Sequence, residues 1–194
     1  MNERLPARHV VLMGIGHTNA HVLRMYGMQG LPDTALTCIS NFNVATYSGM
    51  MPAVLAGQVS PSAMQIDLVK LCASVGARLI TEPVTGLNAG GQQILFERRP
   101  PMNYDLLSIG IGSTSASEGV DTSCDNIVEI KPMQTFLHRL SRAVSAVRQA
   151  NGPRPLRIAV AGSGAAGVEI ALCLPSFLKE HWTGEYNLSL VTRS

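Results

Sequence analysis

Two glycine-rich segments contain the residues with the clearest chemistry. Residues 162–167 (GSGAAG) have the spacing G-x-G-x-x-G between an apolar run and a helical pattern. At that spacing Gly162 permits a tight turn, Gly164 lets a pyrophosphate approach the backbone, and Gly167 allows a helix to pack closely on a strand. Amide groups at the helix N-terminus then bind the phosphates. The segment predicts dinucleotide binding; the alternative is a glycine-rich turn that serves packing alone.

Residues 14–19 (GIGHTN) form a less complete version of the same motif. Gly14 and Gly16 occupy the first two glycine positions, but Asn19 stands at the third. An asparagine can cap a helix, yet it excludes the closest approach of helix and strand. His17 would lie beside a phosphate, or it is an ordinary polar residue of the first helical turn. Taken alone, this segment leaves cofactor binding and simple packing equally open.

The residues that follow the next apolar run bear on ribose recognition. Dinucleotide-binding units commonly carry an acidic residue there, hydrogen-bonded to the adenosine ribose. This sequence has Ser40 and Asn41 instead. A hydroxyl or an amide can still bind a ribose hydroxyl, although more weakly, so both are candidate cofactor-binding residues.

Both glycine segments lie within β-α-β patterns. Continuous apolar runs of this kind are typical of buried parallel strands, and the apolar spacing between them is helical. Each such unit implies a right-handed crossover in a parallel sheet. The first unit is predicted as strand 9–13, helix 17–28 and strand 34–40, and the second as strand 156–161, helix 168–178 and strand 188–192.

The rest of the chain predicts supporting elements. A third parallel strand is expected over 77–81, and short strands over 84–87, 93–97 and 105–109 suggest an antiparallel meander inserted after it. Residues 43–61 have no clear period and are interpreted as a functional loop that contains a helical turn. Helices are predicted over 66–75 and 133–150, the latter ended by the segment NGPRP.

Composition narrows the class of protein. The 194 residues are 46% apolar and 14% charged with a net charge of +2, which excludes disorder and a nucleic-acid-binding patch. No apolar run is long enough to span a membrane. The cysteines at 38, 72, 124 and 173 have no C-x-x-C spacing, so neither a metal site nor a local redox disulfide is indicated. We therefore expect a cytoplasmic protein without a metal.

Four further segments resemble the two-dinucleotide-binding-domain flavoproteins. Residues 104–113 (YDLLSIGIGS) resemble the Y-D-x-L-x-x-A-T-G-S motif of that superfamily: Gly112 and Ser113 match, while Gly110 and Ile111 replace Ala and Thr. The loop YSGMMP, with Met51 and Pro52, is similar to the loop that brings Leu-Pro to the flavin in type II NADH dehydrogenases and sulfide:quinone reductases. Lys131-Pro132 resembles a Lys-Pro of the latter enzymes. Gly167-Val168-Glu169 is similar to the G-V-E of the NAD(P) motif.

The motif order is most similar to pyridine nucleotide-disulfide oxidoreductase-like proteins found alone or fused to selenide, water dikinase. This resemblance implies FAD at the first unit and NAD(P)H at the second. The FAD-binding residues it implies are Gly14, Gly16, His17, Asn19, Ser40, Asn41, Met51, Pro52, Val84, Gly112 and Ser113. Those for NAD(P)H are Gly162, Gly164, Gly167 and Glu169.

The resemblance also implies a function and a domain plan. An FAD-binding domain over residues 1–132 would be followed by the beginning of an NAD(P)H-binding domain over 133–194, as the N-terminal part of a longer protein. Hydride would pass from NAD(P)H to the flavin and on to a small-molecule or quinone-type acceptor. Lys131 would stabilise the reduced flavin, or it is a surface lysine. The alternative function is a non-catalytic nucleotide-binding or regulatory module that serves a fused or partner enzyme.

Two further expectations follow from that plan. The helical face of Ile170, Leu174 and Phe177 would be left uncovered in so short an NAD(P)H unit, which favours association into a homo-oligomer. No cysteine pair lies near the first helix, where disulfide reductases of this superfamily carry one, so disulfide-reductase chemistry is not expected.

Overall fold

The computed structural model describes residues 6–115, 121, 123–124, 126–151 and 154–192. The chain divides into two compact units, one formed by Met1–Thr46 and Ile66–Ser113 and the other by Tyr47–Gln65 and Thr114–Ser194. The domain division at residues 132 and 133 stays a prediction.

The described elements follow one another in an α/β order. They are β1 (Arg8–Met13), α1 (His17–Gln29), β2 (Thr34–Ser40), β3 (Val44–Thr46), α2 (Met51–Leu55), β4 (Gln65–Asp67), α3 (Leu68–Ser74), β5 (Arg78–Thr81), β6 (Val84–Asn88), β7 (Gln93–Phe96), β8 (Met102–Asn103), β9 (Leu106–Ile109), α4 (Met133–Asn151), β10 (Leu156–Ala161), α5 (Ala165–His181) and β11 (Tyr186–Val191).

A four-stranded parallel sheet with the order β5-β2-β1-β9 forms the centre of the first unit. Met13, the last residue of β1, is in register with Ile39 on one side and Ile109 on the other. The carboxyl ends of three strands therefore meet at one edge of the sheet. The predicted β-α-β unit and the α/β fold class are confirmed.

The two faces of this sheet have separate apolar cores because successive side chains of a strand point to opposite faces. Leu12 and Cys38 belong to a buried cluster with Leu23 of α1 and Leu68 of α3. The neighbouring positions Val11 and Ile39 belong to a second cluster with Ile80 and Ile94. A parallel sheet covered on both faces accounts for the continuous apolar runs of β1 and β2.

The predicted meander needs one correction. β6, β7 and β8 do form an antiparallel sheet, but the strand expected over 105–109 is not part of it. β9 pairs in parallel with β1, and the Asp105 amide donates to the His9 carbonyl at 2.9 Å. Short strands separated by turns resemble one another locally, and only the long-range pairing assigns β9 to the parallel sheet.

The segments around residues 43–75 also differ from expectation. The predicted loop contains the expected helical turn as the short helix α2, but it also contains β3, which pairs with β4 in a two-stranded sheet. The predicted helix over 66–75 begins later, at Leu68, because Asp67 caps it: the Asp67 carboxylate accepts from the Lys70 amide at 3.0 Å.

The second unit contains the second β-α-β pattern. β10 and β11 pair in parallel over six residues, from Leu156 with Tyr186 to Ala161 with Val191. The helix between them begins at Ala165, three residues earlier than predicted, and ends at His181.

The expectation of an uncovered face on α5 is wrong. Ile170, Leu174 and Phe177 are only 8%, 2% and 8% exposed. They lie in one apolar cluster with residues of α2 and α4, which include Met51, Leu55 and Phe136. Helix α2 comes from the segment that local periodicity leaves as a loop, so the sequence pattern alone does not reveal this cover.

Candidate dinucleotide-binding sites

Gly14 follows β1 and makes the first glycine turn. Its φ of +77° is a left-handed conformation that favours glycine. Its amide donates to the Ile39 carbonyl at 2.8 Å, which ties the turn to the end of β2. A Cβ on Gly14 would lie 2.6 Å from the Gly110 carbonyl oxygen, so any side chain here would displace backbone. Both conformation and space require glycine at this position.

Helix α1 begins directly after this turn. Gly16 is the N-cap residue in an extended conformation, and the Ala20 amide makes the bond to the Gly16 carbonyl at 2.9 Å. The first amides of a helix have no acceptor within the helix. Gly16 has no side chain to cap them, the first turn carries no acidic residue, and Gly16, His17 and Thr18 are exposed. Helix N-termini of this kind are common binding sites for anionic groups.

Asn19, at the position of the missing third glycine, is not a helix cap. It lies within α1 and is completely buried. Its Nδ2 donates to the Gly14 carbonyl at 2.7 Å and lies 3.5 Å from the Met13 carbonyl. Its Oδ1 accepts from the Ser108 hydroxyl at 2.7 Å. Sequence reasoning missed this role, because Ser108 is 89 positions away.

The end of β9 lies beside this turn. The Gly110 amide donates to the Met13 carbonyl at 2.7 Å. Gly112 has φ of +79° with open space around it, and Gly112 and Ser113 are exposed. Gly110, which stands at the Ala position of the Y-D-x-L-x-x-A-T-G-S motif, therefore lies where the end of β9 approaches the first glycine turn.

The remaining candidates of the first unit have different surroundings. Ser40 ends β2, in line with Gly14, and its hydroxyl accepts from the Phe42 amide at 3.2 Å. Asn41 next to it is exposed. Val84 begins β6 and packs against the apolar cluster of Val11, Ile39 and Ile80, so its side chain serves the core. Sheet topology brings Gly14, Ser40 and Gly110 to one edge.

The second glycine turn, between β10 and α5, leaves less space for a Cβ at Gly167 than the first turn leaves at Gly14. Gly162 has φ of +111°, and its amide donates to the Val191 carbonyl at 2.8 Å. A Cβ on Gly167 would collide with the Gly162 carbonyl oxygen and lie 2.9 Å from its carbon. This is the close helix–strand packing that the motif predicts.

Gly164 differs from both neighbours in the motif. It is the N-cap of α5 with an ordinary φ of −68°, and a Cβ built on it would meet no atom within 4 Å. The helix has no side-chain cap bond and no acid in its first turn. Glu169, the fifth residue of α5, is exposed. The fold therefore does not require glycine at 164, whereas a ligand that approached the backbone would.

Three candidates lie in the second unit outside the glycine turn. Met51 begins α2 and is 1% exposed, and Pro52 follows it half-buried. Lys131 is half-buried directly before Pro132 and α4. The Pro132 carbonyl accepts from the Thr135 amide at 3.3 Å and from the Arg139 guanidinium at 3.1 Å, so this segment is anchored on α4.

The cysteines of the described residues are free thiols, two of them buried. No cluster of three or more His, Cys, Asp or Glu side chains that could hold a metal lies within the described part of the chain. Cys38 and Cys72 are buried together in the apolar cluster of the first unit. Burial raises the pKa of both thiols, and the neighbouring Cys72 raises that of Cys38 further. Such thiols are poor nucleophiles.

No helix in the described ranges has both the length and the apolar character needed to cross a membrane.

Comparison with known proteins identifies the fold. No protein-family model and no curated protein matches the sequence. The sulfide:quinone oxidoreductase from Aquifex aeolicus is similar in structure, with a TM-score of 0.70, 21% identity, and 96% of this chain matched to 43% of the other. NDH2 from Plasmodium falciparum in complex with NADH has a TM-score of 0.72 and 16% identity, with 89% of this chain matched to 38% of the other. An NAD-dependent persulfide reductase from A. fulgidus has a TM-score of 0.73 and 15% identity, with 95% of this chain matched to 33% of the other.

The chain shares the fold of these oxidoreductases. At these identities the likeness establishes the fold, and the chain spans less than half the length of each of the three.

Proposed function

We propose that this chain belongs to an FAD-dependent oxidoreductase that takes hydride from NAD(P)H. The observation that supports this function best is the double β-α-β arrangement. Two parallel strand pairs each carry a glycine turn at the carboxyl end of the first strand, followed by a helix whose N-terminus has neither a side-chain cap nor an acid. A protein that uses a single dinucleotide needs only one such unit.

The first unit suits the pyrophosphate of FAD. Gly14 and Gly16 keep side chains away from the turn, and the first turn of α1 contains no acidic residue that would repel a phosphate. His17 on the first exposed turn would place an imidazole near the phosphates. Ser40 and Asn41 would approach the adenosine ribose from the end of β2, and Gly112 and Ser113 would flank the cofactor from the end of β9.

The second unit suits NAD(P)H. The open space at Gly164 is consistent with a phosphate approaching the backbone, and Gly167 holds α5 against β10. Glu169 lies exposed on the same helix and would face the ligand from its next turn. No negative side chain of the first turn of α5 would repel the phosphates.

The protein's part in such a reaction is binding and orientation. When bound, the flavin supplies the chemistry, since it accepts hydride and passes electrons to a second acceptor. Hydride transfer needs no side-chain acid or base. Lys131 is the residue that we propose for stabilising negative charge beside the cofactor, together with Met51 and Pro52 as cofactor contacts. Quinones and small sulfur or selenium species are the acceptors that we propose to test.

The test is cofactor binding followed by reduction. The protein is purified, titrated with FAD, and then mixed anaerobically with NADH or NADPH while the visible flavin absorbance is followed. Stoichiometric FAD binding and bleaching by one of the nicotinamide cofactors support the proposal. FAD binding without bleaching favours the non-catalytic nucleotide-binding module, and failure to bind FAD at all overturns the proposal.

A further inference from the structure

The buried side chain of Asn19 has a role that the glycine motif does not assign to its position. It lies in the third position of the first glycine motif, where a side chain separates helix from strand. It is completely buried, with 0% exposure. A buried amide must have hydrogen-bond partners, since an unsatisfied one destabilises the fold.

The partners fix the orientation of this amide. The carbonyl oxygens of Gly14 and Met13 can only accept, so Nδ2 must face them, at 2.7 and 3.5 Å. Oδ1 is then left to accept from the Ser108 hydroxyl at 2.7 Å. One side chain thus joins the glycine turn after β1 to the neighbouring strand β9.

Gly110 lies on the other side of the Asn19 side chain, and it is glycine where the Y-D-x-L-x-x-A-T-G-S motif has alanine. A Cβ on Gly110 would lie 2.8 Å from Asn19 Nδ2, 3.1 Å from the Gly14 carbonyl oxygen and 3.3 Å from Asn19 Cγ, so the asparagine amide is its nearest neighbour. An alanine at 110, as the resembling proteins carry, would therefore collide with the asparagine. With glycine at 110, the strand end can approach the turn and its amide can donate to the Met13 carbonyl.

We propose that Asn19 is a positioning residue that locks the first glycine turn to β9 through Gly14 and Ser108, and that the Asn19 amide is the main obstacle to a side chain at position 110. This inference rests on the proposed function, because the turn that it positions is the proposed FAD phosphate site. The lock replaces close helix–strand packing with directed hydrogen bonds. It holds the Gly14 carbonyl, and with it the amides that follow, in one orientation before the ligand arrives.

The test is a double-mutant cycle on FAD affinity and thermal stability. The variants are Asn19→Ala, Gly110→Ala and both together. The new Cβ at 110 crowds the amide, so Gly110→Ala should raise the Kd for FAD about tenfold. Asn19→Ala should raise it by a similar factor, because the turn loses its hydrogen bonds. Removing the amide relieves the shortest contact of the Cβ and leaves only the tight contact with the Gly14 carbonyl oxygen, so the double variant should bind FAD no more weakly than Gly110→Ala.

Two controls separate positioning from general stability. Gly90→Ala places a Cβ in ordinary contact, 3.9 Å from the Asn88 side chain, in the same unit, and should change neither quantity. Ser108→Ala removes the partner of Oδ1 and should weaken FAD binding in the wild-type background but not in the Asn19→Ala background. NAD(P)H affinity, measured in parallel, should be the same in all variants.

The outcomes are distinct. If the two effects on FAD affinity multiply in the double variant, the coupling does not exist and the proposal is overturned. If the single variants change only the melting temperature and leave the Kd for FAD unchanged, Asn19 is a structural residue and the positioning role is wrong. If the wild-type protein binds no FAD, the proposed function fails, and the steric coupling is then judged by whether Asn19→Ala restores the melting temperature lost in Gly110→Ala.

Discussion

The contact between Gly167 and Gly162 allows a sharp test of the second glycine turn. In Gly167→Ala, the new Cβ would collide with the Gly162 carbonyl oxygen and lie 2.9 Å from its carbon. Both atoms are backbone, and Gly162 is held at φ of +111° with its amide bonded to Val191. The turn therefore cannot move aside easily, and the start of α5 must shift away from β10.

The size of the effect follows from what that shift disturbs. Ile170 and Leu174 lie on the next turns of α5 and pack in the apolar cluster that contains Leu156 of β10. Overpacking of this kind costs about 1–3 kcal/mol, and a backbone obstacle places the change near the upper end. A loss of about 3 kcal/mol lowers the melting temperature of a chain this long by about 6–12 °C. Circular dichroism during heating, with urea unfolding as a second measurement, detects a change of that size.

Gly164→Ala is the matched control within the same turn. Its Cβ would meet no atom within 4 Å and its φ is ordinary, so only the N-cap preference changes, by about 1 kcal/mol or less. We expect this variant to lower the melting temperature by at most about 4 °C and to lose affinity for NAD(P)H. If Gly167→Ala melts like the wild type, or if Gly164→Ala is the less stable of the two, the packing argument is refuted.

Three other predictions concern separate parts of the molecule. Gly16→Val should abolish FAD retention, because it places a branched side chain at the start of α1; a Gly16→Val protein that keeps a full flavin spectrum would contradict the assignment of the first turn. A thiol reagent at mildly alkaline pH should label the exposed Cys124 rapidly and Cys38 and Cys72 only after denaturation, since both are buried and burial raises their pKa; equal labelling rates by mass spectrometry would show that the core opens readily. The amide of Lys70 lowers the pKa of Asp67, so the cap should stabilise the fold above the unfolded pKa of about 4 and lose that effect as pH falls through the folded value. Asp67→Ala should then lower the melting temperature at neutral pH more than at acid pH, and a difference independent of pH would exclude the cap.

The sequence by itself determined the two β-α-β units. The apolar runs of β1 and β2 are continuous because both faces of their parallel sheet are covered, and glycine spacing is set by local turn geometry. Both signals are contained within about thirty residues, so no distant contact is needed to recognise them. The α/β class, the two β-α-β units and the glycine turns could therefore be predicted.

Tertiary structure alone decided the features that depend on distant partners. The strand β9 resembles the other short strands locally, and its pairing with β1 assigns it to the parallel sheet. Helix α2, too short to show a period, covers the face of α5 that local periodicity leaves open. Asn19 in sequence is a defect in a glycine motif, whereas in the fold its amide joins Gly14 to Ser108. Hydrogen bonds and steric exclusion act over a few ångströms regardless of separation along the chain, so the match of Asn19 with Gly110 exists only once β1 and β9 lie side by side.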